Sequence, residues 1–154
     1  MNLGLKGKVA IVMASSKGLG KASALALAQE GATVVIGARD EKVLNATAKE
    51  IKEKSGSTVL AIPTDATKPT DLKKLVAATV KKFKRIDILV NNAGGPPPGT
   101  FDTVTDEQWQ FAFELTLMSV VRLTRLVLPH IKKTGSGRII NMTGSAVKQP
   151  VKNL

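Results

Sequence analysis

A doubly wound α/β fold around a parallel sheet is predicted by three observations: five short apolar runs without polar alternation, helical periods between them, and their strict succession. A strand that is apolar at nearly every position is one covered on both faces, as in a parallel sheet. Parallel strands need right-handed crossovers, and the crossover helices then cover both faces, which gives three layers.

The first run is Val9–Met13 (VAIVM), followed by Met-Ala-Ser-Ser-Lys-Gly-Leu-Gly over residues 13–20, a turn that opens a helix. The second is 33–36, and the helix predicted over 40–54 carries Leu44, Ala48 and Ile51 on one stripe before Ser55 and Gly56, glycine suiting the left-handed C-terminal position. The third is 58–62. After Pro69, apolar Leu72, Leu75, Val76, Val80 and Phe83 form the stripe of a 3.6-residue repeat with Lys73, Lys74, Lys81 and Lys82 opposite, and Thr70 or Asp71 is placed to cap the start. The fourth run is 86–90. Thr105 and Gln108 form a capping box, with Val104 and Trp109 placed as its hydrophobic staple, and the helix that follows is predicted to reach about Leu128, where Pro129 is close. Residues 138–143 are the last strand.

A chain of 154 residues fits one domain and can bury about two-thirds of the surface it exposes when unfolded. Cysteine is absent, which removes disulfides, thiolate metal sites and cysteine nucleophiles, and no metal site is expected. The N-terminus lacks the pattern of a signal peptide and no apolar stretch has the length of a membrane span, so a soluble, cytoplasmic protein is expected.

Polar residues at the strand ends carry the chemistry. Gly18 and Gly20 after the first strand either cradle a dinucleotide pyrophosphate at a helix N-terminus or simply make a turn. At the end of the second strand, where a site preferring NAD places an acidic residue against the ribose 2′-hydroxyl, Gly37-Ala38-Arg39 stands instead. Arg39 with Lys17 makes a positive pocket for a 2′-phosphate, or is a solvated charge paired with Asp40. Asp65 beyond the third strand accepts from an adenine amine or caps a loop. Asn91 and Asn92 beyond the fourth satisfy loop backbone or face a ligand.

These residues resemble the short-chain dehydrogenase/reductase family, whose marks are Thr-Gly-x-x-x-Gly-x-Gly after the first strand and Asn-Asn-Ala-Gly after the fourth. The second mark is complete at residues 91–94. The chain looks closest to the branch labelled 3-oxoacyl-carrier-protein reductase-like. The resemblance implies a Rossmann-like sheet cut after its fifth strand, residues 1–154 being the N-terminal NAD(P)-binding portion of a longer enzyme. It implies cofactor contacts from Ser15, Ser16, Lys17, Gly18, Leu19, Gly20, Arg39, Asp65, Ala66, Asn92, Ala93 and Gly94, with NADP(H) favoured over NAD(H). It also implies hydride transfer to or from a small carbonyl or alcohol substrate, and a dimer or tetramer when complete.

Four departures accompany the resemblance. Met13-Ala14 stands for Thr-Gly, and Thr116 stands where the family's helix-four asparagine supports a proton relay. The substrate-orienting serine falls on Gly144, leaving Ser145 one place later to take that role or to be an ordinary loop hydroxyl. The family's Tyr-x-x-x-Lys is missing and the chain has no tyrosine at all, so it is expected to hold a cofactor but not, unaided, to turn one over. A noncatalytic dinucleotide-binding or regulatory relative is the alternative.

With 23 Lys and Arg against 12 Asp and Glu, the net charge of +11 also raises a nucleic-acid partner. The lysines are spread over helix outer faces, and Phe83, Trp109 and Phe113 occupy core-like positions, so no base-stacking platform is expected and a solvated basic surface is preferred. His130 is read as a surface or capping residue.

Overall fold

A computed structural model describes residues 3–144 and 148–149. The strands β1 (Val9–Met13), β2 (Thr33–Ala38), β3 (Val59–Pro63), β4 (Ile88–Asn91) and β5 (Arg138–Asn141) form one parallel sheet in the order β3-β2-β1-β4-β5. Helices α1 (Gly18–Gln29), α2 (Glu41–Ser55), α3 (Pro69–Phe83), α4 (Asp106–Phe113) and α5 (Ser119–Lys132) make the crossovers, with a π turn over Glu114–Met118 joining the last two.

The sheet separates two cores. On one face Val9, Ile11 and Met13 of β1 meet Leu72, Leu75 and Val76 of α3 and Leu123, Val127 and Ile131 of α5. On the other, Ala10 and Val12 of the same strand meet Ala24 and Ala28 of α1 and Leu44 and Ile51 of α2. Successive side chains of a strand point to opposite faces, so a strand buried on both must be apolar throughout, and β1 is. The stripe Gly20, Ala24, Ala28 keeps α1 small where it lies on the sheet.

Helix ends show which local signals decide the chain's course. Asp40 caps α2, its carboxylate accepting from the Val43 N–H at 3.0 Å, and Gly56 ends it at φ +70°. Thr105 and Gln108 close the capping box. Three expectations are corrected. Neither Thr70 nor Asp71 caps α3: it begins at Pro69 with Lys68 as N-cap, and Asp71 instead accepts from the Asp65 N–H at 3.1 Å. The helix opened by Thr105 does not stop near Leu128 but continues as α4, the π turn and α5 past Pro129 to Lys132, the proline removing one backbone donor near its end without stopping it. Trp109 and Phe113 are not core residues but 53 % and 47 % exposed, since no residue of α4 is buried.

Candidate functional site

The strand order reverses between β1 and β4, whose crossovers depart in opposite directions along the sheet. Beyond the carboxyl ends of strands at such a reversal lies the crevice in which open α/β sheets bind ligands. The structure brings the turn after β1, the ends of β2 and β3 and the loop after β4 to this side of the sheet.

The two glycines of the first turn differ in function. Gly18 has φ +57°, and a Cβ built on it meets nothing within 4 Å, so the backbone there borders open space. A Cβ on Gly20 would stand 2.4 Å from the Ala14 carbonyl oxygen and 2.7 Å from Asn92 Nδ2. Gly20 is therefore a packing glycine that lets α1 close against both neighbouring loops. Ala14 sits at φ +47°, a left-handed conformation that costs a residue with a Cβ about 1–2 kcal/mol. Glycine in the family's pattern has this physical reason at that position.

Ser15 is fully buried, and its hydroxyl donates to the Val12 carbonyl at 2.8 Å and accepts the Gly37 N–H at 3.2 Å. Ser16 is half-buried and its carbonyl accepts the Thr47 hydroxyl at 2.8 Å. Lys17 and Leu19 are exposed, the latter at 69 %. Met13 pairs in register with Gly37, whose lack of a side chain leaves room for the methionine sulfur, 3.1 Å from where a Cβ would stand.

Arg39, exposed just past β2, forms no ion pair within 4 Å among the described residues. Asp40 is not its partner, being engaged in capping α2. Past β3, Asp65 Oδ1 accepts from Thr67 twice, from its hydroxyl at 2.8 Å and its backbone N–H at 3.0 Å. Burial pushes this carboxyl up, but the Thr67 bonds and the charges of Lys68 and Arg39 outweigh it and hold Asp65 below the usual carboxylate value. Ala66 beside it is half-buried.

The asparagines at the end of β4 and just past it brace the scaffold. Asn91 is buried and its amide donates to Asn141 Oδ1 at 2.8 Å and to Thr124 Oγ1 at 3.2 Å, tying β4 to β5 and α5. Asn92 donates to the carbonyls of Met13 and Ala14 at 3.2 and 3.3 Å, clamping the first turn. Ala93 is half-buried, and Gly94 is exposed with nothing within 4 Å of a built Cβ, a second stretch of backbone open to a ligand.

Thr116 is exposed within the π turn, and its hydroxyl donates to the Ala112 carbonyl one turn back at 2.7 Å. Ser145 lies outside the described residues. The prolines of the 95–99 stretch line, with Phe101, Val104 and Trp109, an apolar hollow of about 470 Å³ against α4. Among the described residues no group of His, Cys, Asp or Glu could hold a metal ion, and no helix is long and apolar enough to cross a membrane.

Sequence reasoning missed two features of the site. The strain at Ala14 has no signal apart from the glycine the family pattern puts there. Thr47 had one: a threonine in the buried stripe of α2 between Leu44 and Ile51, a place where a polar group must find a partner.

Comparison with known proteins gives one consistent answer. The family model for short chain dehydrogenase matches residues 8–154. A dehydrogenase/reductase SDR family member 4 from Caenorhabditis elegans is 44 % identical over 147 residues, 94 % of this chain and 56 % of its own length. The 3-oxoacyl-[acyl-carrier-protein] reductase FabG of Thermotoga maritima is 34 % identical over 90 % of this chain and 56 % of its own. Among solved structures, L-sorbose reductase from Gluconobacter frateurii, complexed with NADPH and L-sorbose, superposes with a TM-score of 0.95 at 38 % identity, over 99 % of this chain and 58 % of that one. A 7α-hydroxysteroid dehydrogenase complexed with NADH does so with a TM-score of 0.92 at 35 % identity, over 99 % of this chain and 59 % of that one. The chain thus spans somewhat more than half the length of these relatives.

Proposed function

Because the chain belongs to the short chain dehydrogenase family, we propose that it holds NADP(H) across the carboxyl ends of β1, β2 and β4, as the cofactor-binding part of an oxidoreductase acting on a small carbonyl or alcohol substrate. The observation that carries the cofactor choice is at the end of β2. Arg39 is exposed and without an ion pair among the described residues, because the adjacent carboxylate of Asp40 is spent on the α2 N-terminus. Lys17 leaves the neighbouring strand's turn, so two cations serve one edge of the crevice, where a guanidinium can meet a phosphate with paired hydrogen bonds.

The residues present fit a dinucleotide. Gly18 and Gly94 leave open space over the turn and over the loop after β4, and the α1 N-terminus lies beneath the first. Ser15 and Asn92 contribute by fixing the turn, while Lys17 and Arg39 supply the charge. Asp65, held ionised, accepts from an amine of the base. The nicotinamide supplies or accepts the hydride when the cofactor is bound. Within these residues the proton-exchanging tyrosine of such enzymes has no counterpart, because the chain contains none.

Titration of NADPH and NADH by fluorescence tests the cofactor assignment. NADPH is expected to bind at least about tenfold more tightly, and Arg39→Ala to remove most of that difference. Equal affinities in the wild type, or a preference that survives Arg39→Ala, would overturn it. A noncatalytic dinucleotide-binding role is the second reading, favoured by Thr116, whose hydroxyl is bonded into its own helix instead of standing free for a proton relay. The α4 stripe of Trp109, Phe113 and Leu117 is proposed as the meeting face of a homo-oligomer.

A further inference from the structure

We propose that Thr47 is a positioning residue for cofactor selection: by holding the Ser16 carbonyl toward α2, it sets the Ser16–Lys17 peptide, and Lys17 with it, for the 2′-phosphate. The proposal rests on the NADP(H) reading and deepens it.

Three observations support it. First, a helical threonine ordinarily satisfies its hydroxyl on the carbonyl four residues back, as buried Thr79 does on Leu75 and exposed Thr116 on Ala112. Thr47, only 4 % exposed, instead reaches across to the turn after β1. Second, the acceptor is the one carbonyl whose peptide plane also carries the Lys17 N–H. In a planar trans peptide the C=O and N–H point in opposite directions, so fixing the Ser16 carbonyl toward α2 aims the Lys17 N–H away from it. Lys17 is also the N-cap of α1, at φ −161° and ψ 177°, where the first amides of the helix are free for an anion.

Third, the struts on Ser15 and Ser16, the residues directly before Lys17, come from the unit that carries Arg39, whereas Asn92 holds the earlier Met13 and Ala14. Ser15 is tied to Gly37 of β2 and Ser16 to Thr47 of α2, and Arg39 lies between those two elements. The separation of Lys17 from Arg39 is thereby governed by the β2 and α2 bonds to the two residues next to Lys17. A phosphate that must touch both cations depends on that separation, whereas a ribose hydroxyl does not.

The test compares Thr47→Val, which keeps the shape and removes the hydroxyl, with Thr47→Ser, which restores it. NADPH affinity is expected to fall about fivefold in Thr47→Val while NADH affinity stays within about twofold, and Thr47→Ser is expected to recover the wild-type ratio. Parallel losses for the two cofactors, an unchanged ratio, or no recovery in Thr47→Ser would overturn the proposal, each being the behaviour of a merely structural threonine. A wild type without NADPH preference, or one indifferent to Arg39→Ala, would instead bring down the 2′-phosphate reading and this proposal with it. Should Thr47→Val not fold, the wild-type chain is titrated with 2′-AMP and 5′-AMP and the Lys17 amide followed by NMR. A shift with 2′-AMP alone supports the proposal, and no shift, or equal shifts with both, overturns it.

Discussion

The unit from β1 through α2 and the stretch from α4 through β5 are built from the same strand-and-helix grammar, yet only the first closes on itself. Every residue of β1 is buried, whereas β5 is exposed at three of its four positions. Of the ten exposed large hydrophobics among the described residues, seven lie between Phe101 and Ile140. Polar side chains are also spent internally on the turn after β1: Ser15 ties it to Val12 and Gly37, while Thr47 of α2 and Asn92 beyond β4 bond to its backbone. A turn braced from three sides is organised before a ligand arrives, so little binding energy is lost in ordering it. The second stretch leaves its apolar side chains on the surface of the described chain.

The largest expected effect is at Gly20, where the closed unit has no slack. Gly20→Ala puts a carbon 2.4 Å from a backbone oxygen that cannot swing aside without moving Ala14. A loss of about 3 kcal/mol in urea unfolding and collapse of NADPH binding are expected. A cost below about 0.5 kcal/mol would show that the turn is soft and that the contrast between the two regions is false.

Asp87 is the seam between them. Its carboxylate, 1 % exposed, takes the Arg85 guanidinium through both oxygens at 2.6 and 2.8 Å and the Val9 N–H at 2.9 Å, with Lys8 at 3.6 Å, while its backbone carbonyl receives the Arg138 N–H of β5. Asp87→Asn is expected to cost about 2 kcal/mol, less than for a fully buried pair because Arg85 is 45 % exposed. Burial alone would raise this carboxyl, but the Arg85 and Val9 bonds and the nearby charges overcome it and lower its pKa from 3.8. A carboxyl lowered on folding contributes stability above its unfolded value and loses it as pH falls through the lower folded one. Stability should thus decline from just below pH 4 downward, and Asp87→Asn should flatten that limb of the unfolding profile.

The sequence showed the fold because burial on both faces leaves an unmistakable pattern in β1, β2 and β4, and because Thr105, Asp40 and Gly56 use local chemistry to stop and start helices. The candidate site was legible for the same reason, glycines and asparagines lying at or just past the ends of such strands. What it concealed depends on contacts distant in the chain. Nothing local says that Ser15 turns inward while Lys17 turns out, that Asn92 clamps the first turn 78 residues away, or that Trp109 finds no core. The left-handed Ala14 is of this kind, and it predicts a gain: Ala14→Gly relieves about 1–2 kcal/mol of backbone strain and returns part of it as chain entropy, leaving the protein about 0.5 kcal/mol more stable in the same unfolding measurement. An equal or lower stability would mean that neighbouring bonds already relax the turn.

The smallest expected effect on stability is the one that separates the two regions most sharply. Trp109, Phe113 and Leu117 follow one another at four-residue steps, 53 %, 47 % and 48 % exposed, and so share a face of the α4 and π-turn helix that the described chain leaves about half open, Trp109 also bordering the hollow lined by Phe101 and Val104. Replacing Trp109 and Phe113 together by Gln removes only contacts of half-exposed side chains and none with the core, so the unfolding free energy should move by no more than about 0.5 kcal/mol. Self-association followed by sedimentation velocity should fall markedly, because an aromatic stripe of this size in water is the usual driving surface for pairing. A destabilisation above about 1 kcal/mol would mean that the stripe is already packed within the chain, and an unchanged sedimentation profile would remove α4 as the oligomer face. With stability held and association lost, the α4 stripe would be established as surface made for a neighbour, in contrast to the turn after β1, whose contacts are all internal.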